Sequence, residues 1–342
     1  MVASLGLRMT HTTSTAPTSL ASRPVHRRSV LGALGALTCA AFAPRALGDA
    51  PPATEAAPGV AIPPRAPNPI SLAQWSLHRR FGFGRPEERD PNPMDPMEFP
   101  RLAKEEFGLS RVEYVNQFYR GKVGEAGFAA ALRKRCDDLG VSSLLIMCDG
   151  EGIAGAADES ARVVFAENHR KWLEVARTLG CHSIRVNAIG EGDKDEQARR
   201  CADGLAKLVA LAKPFGLSVI VENHGGLSSD GAWLVGVIRA VGDDACGTLP
   251  DFGNWRDGAG TLVDPVRNVG LVMPFAKGVS AKSYDFDEKG DETKLDYPAI
   301  MAKVHGSGYL GAVGIEYEGK RLSEHDGILA TKALLERLGC RA

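Results

Sequence analysis

From Ile70 onward, short apolar runs alternate with longer amphipathic ones, and eight such pairs follow one another to the end of the chain. The short runs have the Val, Ile and Leu content of buried strands. They are Ile70–Ser76, Arg111–Val115, Ser143–Cys148, Ser183–Asn187, Ser218–Glu222, Gly247–Asp251, Gly278–Lys282 and Ala312–Glu316. Between them, helical periodicity predicts helices that include Gly127–Leu139, Glu159–Leu179, Asp195–Phe215, Gly231–Val241, Pro265–Phe275 and Ser323–Leu338. Leu139-Gly140, Leu179-Gly180 and Phe215-Gly216 read as left-handed helix ends before tight turns into the next strand. Eight alternating units predict a parallel sheet covered by helices. Residues 70–342 are long enough for a single-domain (β/α)8 TIM barrel, which takes about 250 residues. A doubly wound open sheet is the competing arrangement. It would carry a Gly-rich phosphate loop after the first strand, where Gln74-Trp75-Ser76-Leu77-His78 stands instead.

Several runs end in polar clusters: Glu222-Asn223-His224, Asp251-Phe252-Gly253-Asn254, Ser280-Ala281-Lys282-Ser283 and Glu316-Tyr317-Glu318. A carboxylate at the C-terminal end of a buried parallel strand is costly to desolvate, so it marks a site. Side chains alternate along a strand, so Glu222 with His224, Ser280 with Lys282, and Glu316 with Glu318 can share the barrel-facing side. Glu222, Asp251 and Glu316 then converge at the barrel mouth, and an all-oxygen donor set suits Mg²⁺ or Mn²⁺. Pairing of Glu222 and Glu316 with Lys282 alone is the competing explanation, but one ammonium neutralises only one of three carboxylates. Trp75 and His78 follow the first strand, and Trp75 suits either a sugar face or the core. Asn187 ends the fourth strand, where it could bind a substrate hydroxyl. His224 suits equally a supporting position and a contact to ligand or substrate.

These strand ends resemble those of the xylose isomerase-like barrels, the sugar phosphate isomerases and epimerases. The resemblance covers residues 70–342 by strand order and is most specific in the last four strands. It implies that Glu222 is a metal ligand and acid/base, that Asp251 and Glu316 complete the ligand set, and that Asn254 and Ser280 stand where the family carries histidines. Implied activity is a metal-dependent isomerase or epimerase of an unphosphorylated keto sugar or sugar derivative. Glu222 and Glu316 would move a proton next to a carbonyl, with Lys282 polarising the same oxygen. Expected substrate contacts are Trp75, His78, Asn187, His224 and Asn254. A 3-keto-glycoside lyase or hydratase would use the same first step. A non-catalytic exported carbohydrate-binding barrel is the rival class, since two family histidines are absent. No Arg cluster is evident after strands seven and eight, which argues against a phosphorylated substrate.

The N-terminus adds a destination. Arg27-Arg28 precedes an apolar stretch from Val30 to Ala43, and Ala46-Leu47-Gly48 has the small residues of a cleavage site. At about 14 residues the stretch falls short of the roughly 20 that span a bilayer. Residues 1–48 therefore read as a twin-arginine (Tat) export signal, with the Tat machinery as partner and a periplasmic or secreted destination. Residues 49–69, rich in Pro and Ala, read as an extended tether. With a net charge of -1, the chain offers no electrostatic case for nucleic acid. Cys136, Cys148, Cys181, Cys201, Cys246 and Cys340 show no zinc-like spacing, and buried free thiols are expected.

Overall fold

The computed structural model of the protein describes residues 67–342. The expected export signal and nearly all of the expected tether lie outside the described residues. Eight parallel strands run β1 (Asn68–Ala73), β2 (Arg111–Val115), β3 (Ser142–Met147), β4 (Ser183–Asn187), β5 (Ser218–Glu222), β6 (Cys246–Leu249), β7 (Val279–Ser283) and β8 (Val313–Tyr317). Their order in the sheet is β6-β5-β4-β3-β2-β1-β8-β7. Parallel bridges Thr248–Ala276 and Asp251–Ser280 then join β6 to β7 and close the barrel. The (β/α)8 expectation holds. A short strand, β9 (Cys340–Arg341), pairs with the start of β1. There Asn68 donates to the carbonyls of Tyr309 (3.0 Å) and Gly311 (2.8 Å), so Asn68 and Pro69, expected in the tether, belong to β1.

Nine helices are seen among the described residues: α1 (Phe99–Glu105), α2 (Phe128–Leu139), α3 (Glu159–Asn168), α4 (Arg170–Leu179), α5 (Lys194–Ala212), α6 (Gly231–Val241), α7 (Pro265–Val272), α8 (Tyr297–Gly306) and α9 (Glu324–Arg337). Gly140 and Gly180 take φ of 65° and 79°, the left-handed conformation that a side chain resists, and turn α2 and α4 back toward β3 and β4. The single helix expected over Glu159–Leu179 is two, because His169 breaks the run; its buried ring bonds the Phe165 carbonyl at 2.7 Å. The first expected strand ends at Ala73 and continues as a 3-10 turn, Gln74–Leu77, which folds Trp75 over the barrel mouth. The apolar core lies between helices and strands, with Trp172, Phe99 and Leu72 among its buried members. All six cysteines named above are buried, and Cys136, Cys148, Cys181, Cys201 and Cys246 are free thiols. Among the described residues, no helix is long and apolar enough to cross a membrane.

Candidate active site

Alternation along parallel strands brings the acidic strand ends together. Glu222 ends β5, Glu316 lies in β8, and Asp251 follows β6; each offers an oxygen, and the three atoms lie within 4.8 Å of one another. All three residues are buried. Asp251 is oriented by its own turn: Oδ1 accepts the amides of Gly253 and Asn254, both at 2.8 Å, while Asn223 bonds its backbone N–H (2.8 Å) and C=O (3.1 Å). That leaves Oδ2 for the site, 2.7 Å from the Ser280 hydroxyl. The same hydroxyl is 3.1 Å from Glu316 Oε2. A hydroxyl carries one proton, so it donates to only one of the two carboxylates. The other oxygen needs a proton or a cation.

Two buried cations face this group. Lys282 Nζ lies 3.1 Å from Glu316, 3.2 Å from Glu318 and 3.7 Å from Asp251, and donates to Asn254 Oδ1 at 3.1 Å. Arg185 Nη1 lies 2.7 Å from Asp149, and Nε lies 2.8 Å from Glu222 Oε2. This last contact is an ion pair without an aligned hydrogen bond, so both Arg185 Nε and Glu222 Oε2 are buried with no hydrogen-bond partner. Asp149, Glu222, Asp251, Glu316 and Glu318 thus outnumber Arg185 and Lys282. A single ammonium pairing both glutamates is not what the fold builds: Lys282 takes Glu316, and Arg185 takes Glu222.

Titration follows from this imbalance. Burial pushes Glu222 up to about 7, opposed by Arg185 and reinforced by Glu316. Burial likewise pushes Asp251 up to about 7, with Lys282 opposing and Glu222 and Glu316 adding to it. Asp149 goes the other way, because Arg185 outweighs its burial and holds it at about 2. Burial disfavours charge on Lys282, but Asp251, Glu316 and Glu318 together hold its ammonium well above the usual range. His224, exposed at the rim, is pushed down by partial desolvation of its ring and by the charges of Arg185 and Lys282. An excess of buried oxygen charge with an unpartnered Glu222 oxygen fits a hard divalent cation, and Glu222, Asp251 and Glu316 are the residues that could hold it.

A cavity of about 320 Å³ opens beside the triad, lined by Trp75, Asp149, Arg185, Asn187, His224 and Glu318, with Glu316 in its wall. Trp75 is held over it by a 2.5 Å bond from its indole N–H to Glu318. His78 lies behind Trp75, stacked on it with ring centroids 4.9 Å apart, and does not line this cavity. The Asn187 side chain donates to Asp149 at 2.7 Å. Asn254 spends its amide on the site, donating to Glu222 at 2.9 Å and accepting from Lys282. Sequence reasoning passed over Arg185 as a charge partner, Asp149, and Glu318 as a partner of Lys282. Parity with Asn187 and Glu316 was the available signal for Arg185 and Glu318. It also missed Glu113, buried in β2 one layer deeper. Ser71 donates to Glu113 at 2.5 Å, and a Cβ on Gly314 would lie only 2.6 Å from its Oε1, so glycine is required opposite it. Burial, against the Ser71 bond and with Glu316 and Glu222, raises Glu113 to about 7.

Residues 101–338 match the xylose isomerase-like TIM barrel family. The chain belongs to that family. None of the curated proteins matches it. Among solved structures, this family member superposes on the 3-keto-D-glucoside 4-epimerase YcjR from E. coli with a TM-score of 0.61 at 14% identity, covering 79% of this chain and 99% of that one. IolI, solved with a bound zinc atom, gives 0.60 at 13% identity over 79% and 97% of the two chains. A xylose isomerase-like barrel from Mycobacterium smegmatis, in complex with magnesium, gives 0.59 at 16% identity over 79% and 96%. At these identities the likeness is one of fold.

Proposed function

We propose that this family member is a metal-dependent isomerase or epimerase of an unphosphorylated keto sugar or sugar derivative, acting by proton transfer at a carbon next to a carbonyl. The observation that carries the reading is the placement of Glu222 and Glu316 on nearly opposite strands of one barrel mouth, beside a cavity the size of a sugar ring. A divalent ion held by Glu222, Asp251 and Glu316 would supply positive charge next to the substrate oxygens, and the oxygen donors favour Mg²⁺ or Mn²⁺. Glu222, poised near 7, removes or returns a proton on one face of the sugar, and Glu316 does so on the other. Lys282, held charged, donates toward the oxygen on which negative charge develops. Asn254 keeps Glu222 and Lys282 in register by bonding both. Trp75 covers one face of the ring, while His224, Asn187 and Asp149 offer polar contacts to hydroxyls. Two carboxylates on opposed strands favour catalysis over a binding-only barrel, because holding a neutral sugar needs no such pair. Export through the Tat machinery to the periplasm or exterior is part of the same proposal, motivated by Arg27-Arg28 and the apolar run behind them.

The test is solvent-deuterium uptake into keto sugars and 3-keto-glycosides by the purified protein with Mn²⁺ or Mg²⁺. Exchange at the carbon next to the carbonyl supports the reading. Turnover without exchange refutes it.

A further inference from the structure

A second cavity of about 770 Å³ adjoins the site and shares Asn254 and Glu318 with its surroundings. It is more than twice the volume of the first cavity, about 320 Å³, so a single sugar ring leaves it unfilled. Its walls are two short hairpins, pinned where Arg256 bridges Leu262 and where Phe286 bridges Glu292. The Glu292 carboxylate clasps the second hairpin by accepting the amides of Tyr284 and Asp285, both at 3.2 Å, and of Lys294 at 2.6 Å. Tyr284 projects between the hairpins and is seated on glycines. A Cβ on Gly253 would lie 2.6 Å from its hydroxyl, and one on Gly319 would lie 1.9 Å from its carbonyl oxygen. Arg256 stacks on the Tyr284 ring at 5.6 Å. This is a constructed wall with an aromatic face.

Its charge is opposite in sign to that of the triad. Arg256, Lys294, Lys320 and Arg321 line it together with Asp285 and Glu318. Glu318 is already committed to Lys282 and Trp75, and Asp285 to Arg321 at 2.7 Å. Among the described residues, Lys294 and Lys320 form no ion pair, and both are exposed at the rim. The four basic residues come from three separate loops, Arg256 after β6, Lys294 after β7, and Lys320 with Arg321 after β8.

We propose that this cavity is a subsite for a second, negatively charged unit of the substrate, so that the enzyme takes a glycoside or sugar conjugate rather than a monosaccharide. The inference rests on the central site handling a sugar, and it adds which class. Tyr284 and Leu262 give the second unit an apolar face, and Lys294 and Lys320 meet its anionic group, a uronate carboxylate in an unphosphorylated substrate.

Isothermal titration at low salt, with the metal-loaded protein, compares cellobiuronic acid, cellobiose phosphate and neutral cellobiose. Two exposed lysines predict that an anionic disaccharide binds roughly tenfold tighter than cellobiose, a preference that shrinks at high salt. Lys294→Glu with Lys320→Glu should reverse the order, and the milder pair Lys294→Gln with Lys320→Gln should bring the ligands level. Tighter binding of cellobiuronic acid than of cellobiose phosphate places a carboxylate in the subsite, and the reverse order overturns that assignment. Equal affinity of the wild type for charged and neutral disaccharides overturns the proposal, as does failure to bind any of them or a preference that survives charge reversal. Deuterium exchange into a neutral keto sugar reports on the central site separately, so the two readings fail by different measurements.

Discussion

Loading the site with a divalent ion should expel protons, and the number follows from the carboxylates that hold it. Without the ion, Glu222 and Asp251 are both pushed up to about 7, chiefly by burial. At pH 7 each is about half protonated, so an ion that requires both ionised displaces about one proton per site. Binding should fall steeply below pH 6, where both carboxylates hold their protons. It should also stabilise the fold: at 100 times its dissociation constant an ion adds about 2.7 kcal/mol, equivalent to roughly 4 to 5 °C in Tm for a domain this long. The assay is titration calorimetry with Mn²⁺ in two buffers of different ionisation enthalpy, from which proton release is read directly. Asp251→Asn keeps the Oδ1 acceptor for the Gly253 and Asn254 amides, removes the charge and puts an NH₂ donor toward the Ser280 hydroxyl, which can turn to accept it. It should therefore fold, lose the ion and lose the proton release. A wild type that binds Mn²⁺ without releasing protons would show that these carboxylates are not the ligands, and one that binds no ion would dispose of the metal centre.

Glu113→Gln tests the deeper carboxylate. Its folded value, about 7, lies above its ordinary 4.5, so the folded state holds the proton more tightly and this group's contribution to stability falls as pH rises from about 4.5 to 7. The variant should be nearly neutral at pH 4.5 and, by that shift, up to about 3 kcal/mol more stable at pH 8, measured by denaturant unfolding at both pH values; a variant destabilised equally at both would refute this. Replacing Arg27 and Arg28 with Lys should leave full-length precursor in the cytoplasm, seen by fractionation and blotting, whereas unchanged exported yield would remove the twin-arginine reading.

Strands were the most legible part of the chain because buried parallel strands are short apolar runs, and β2, β4 and β5 begin and end where those runs do. The convergence of Glu222, Asp251 and Glu316 was legible for the same reason: an acid at the end of such a run stands out. What escaped notice was partnership across strands. Arg185 reads as an ordinary residue in β4 until the register sets Asn187 beside Glu222 and the closed barrel turns the Arg185 side chain toward β5. Lys294, Lys320 and Arg321 come from two different loops, and Arg256 from a third, so spacing carried no trace of the second cavity. Helix α8 was passed over although its signals are present: Tyr297, Ile300, Met301 and Val304 stand at i, i+3, i+4 and i+7, and Pro298 lies in its first turn. The expected α3–α4 helix breaks at His169 through a local contact that a periodic apolar pattern does not contain: its ring bonds the carbonyl of Phe165, one turn back, at 2.7 Å.

The central claim is that Glu222 and Glu316 work as an opposed acid and base, and single-residue variants separate their roles. Each of Glu222→Gln and Glu316→Gln loses a base and weakens the hold on the ion, so each, assayed at Mn²⁺ high enough to keep the site loaded, should slow interconversion of a substrate and its epimer by roughly 10² to 10⁴. The decisive measurement is deuterium uptake from solvent into each epimer separately, followed by mass spectrometry or NMR. The account predicts mirror-image results: Glu222→Gln still exchanges the epimer whose proton faces Glu316, and Glu316→Gln still exchanges the other. Loss of exchange from both epimers in both variants, or interconversion at the wild-type rate in either, would contradict it.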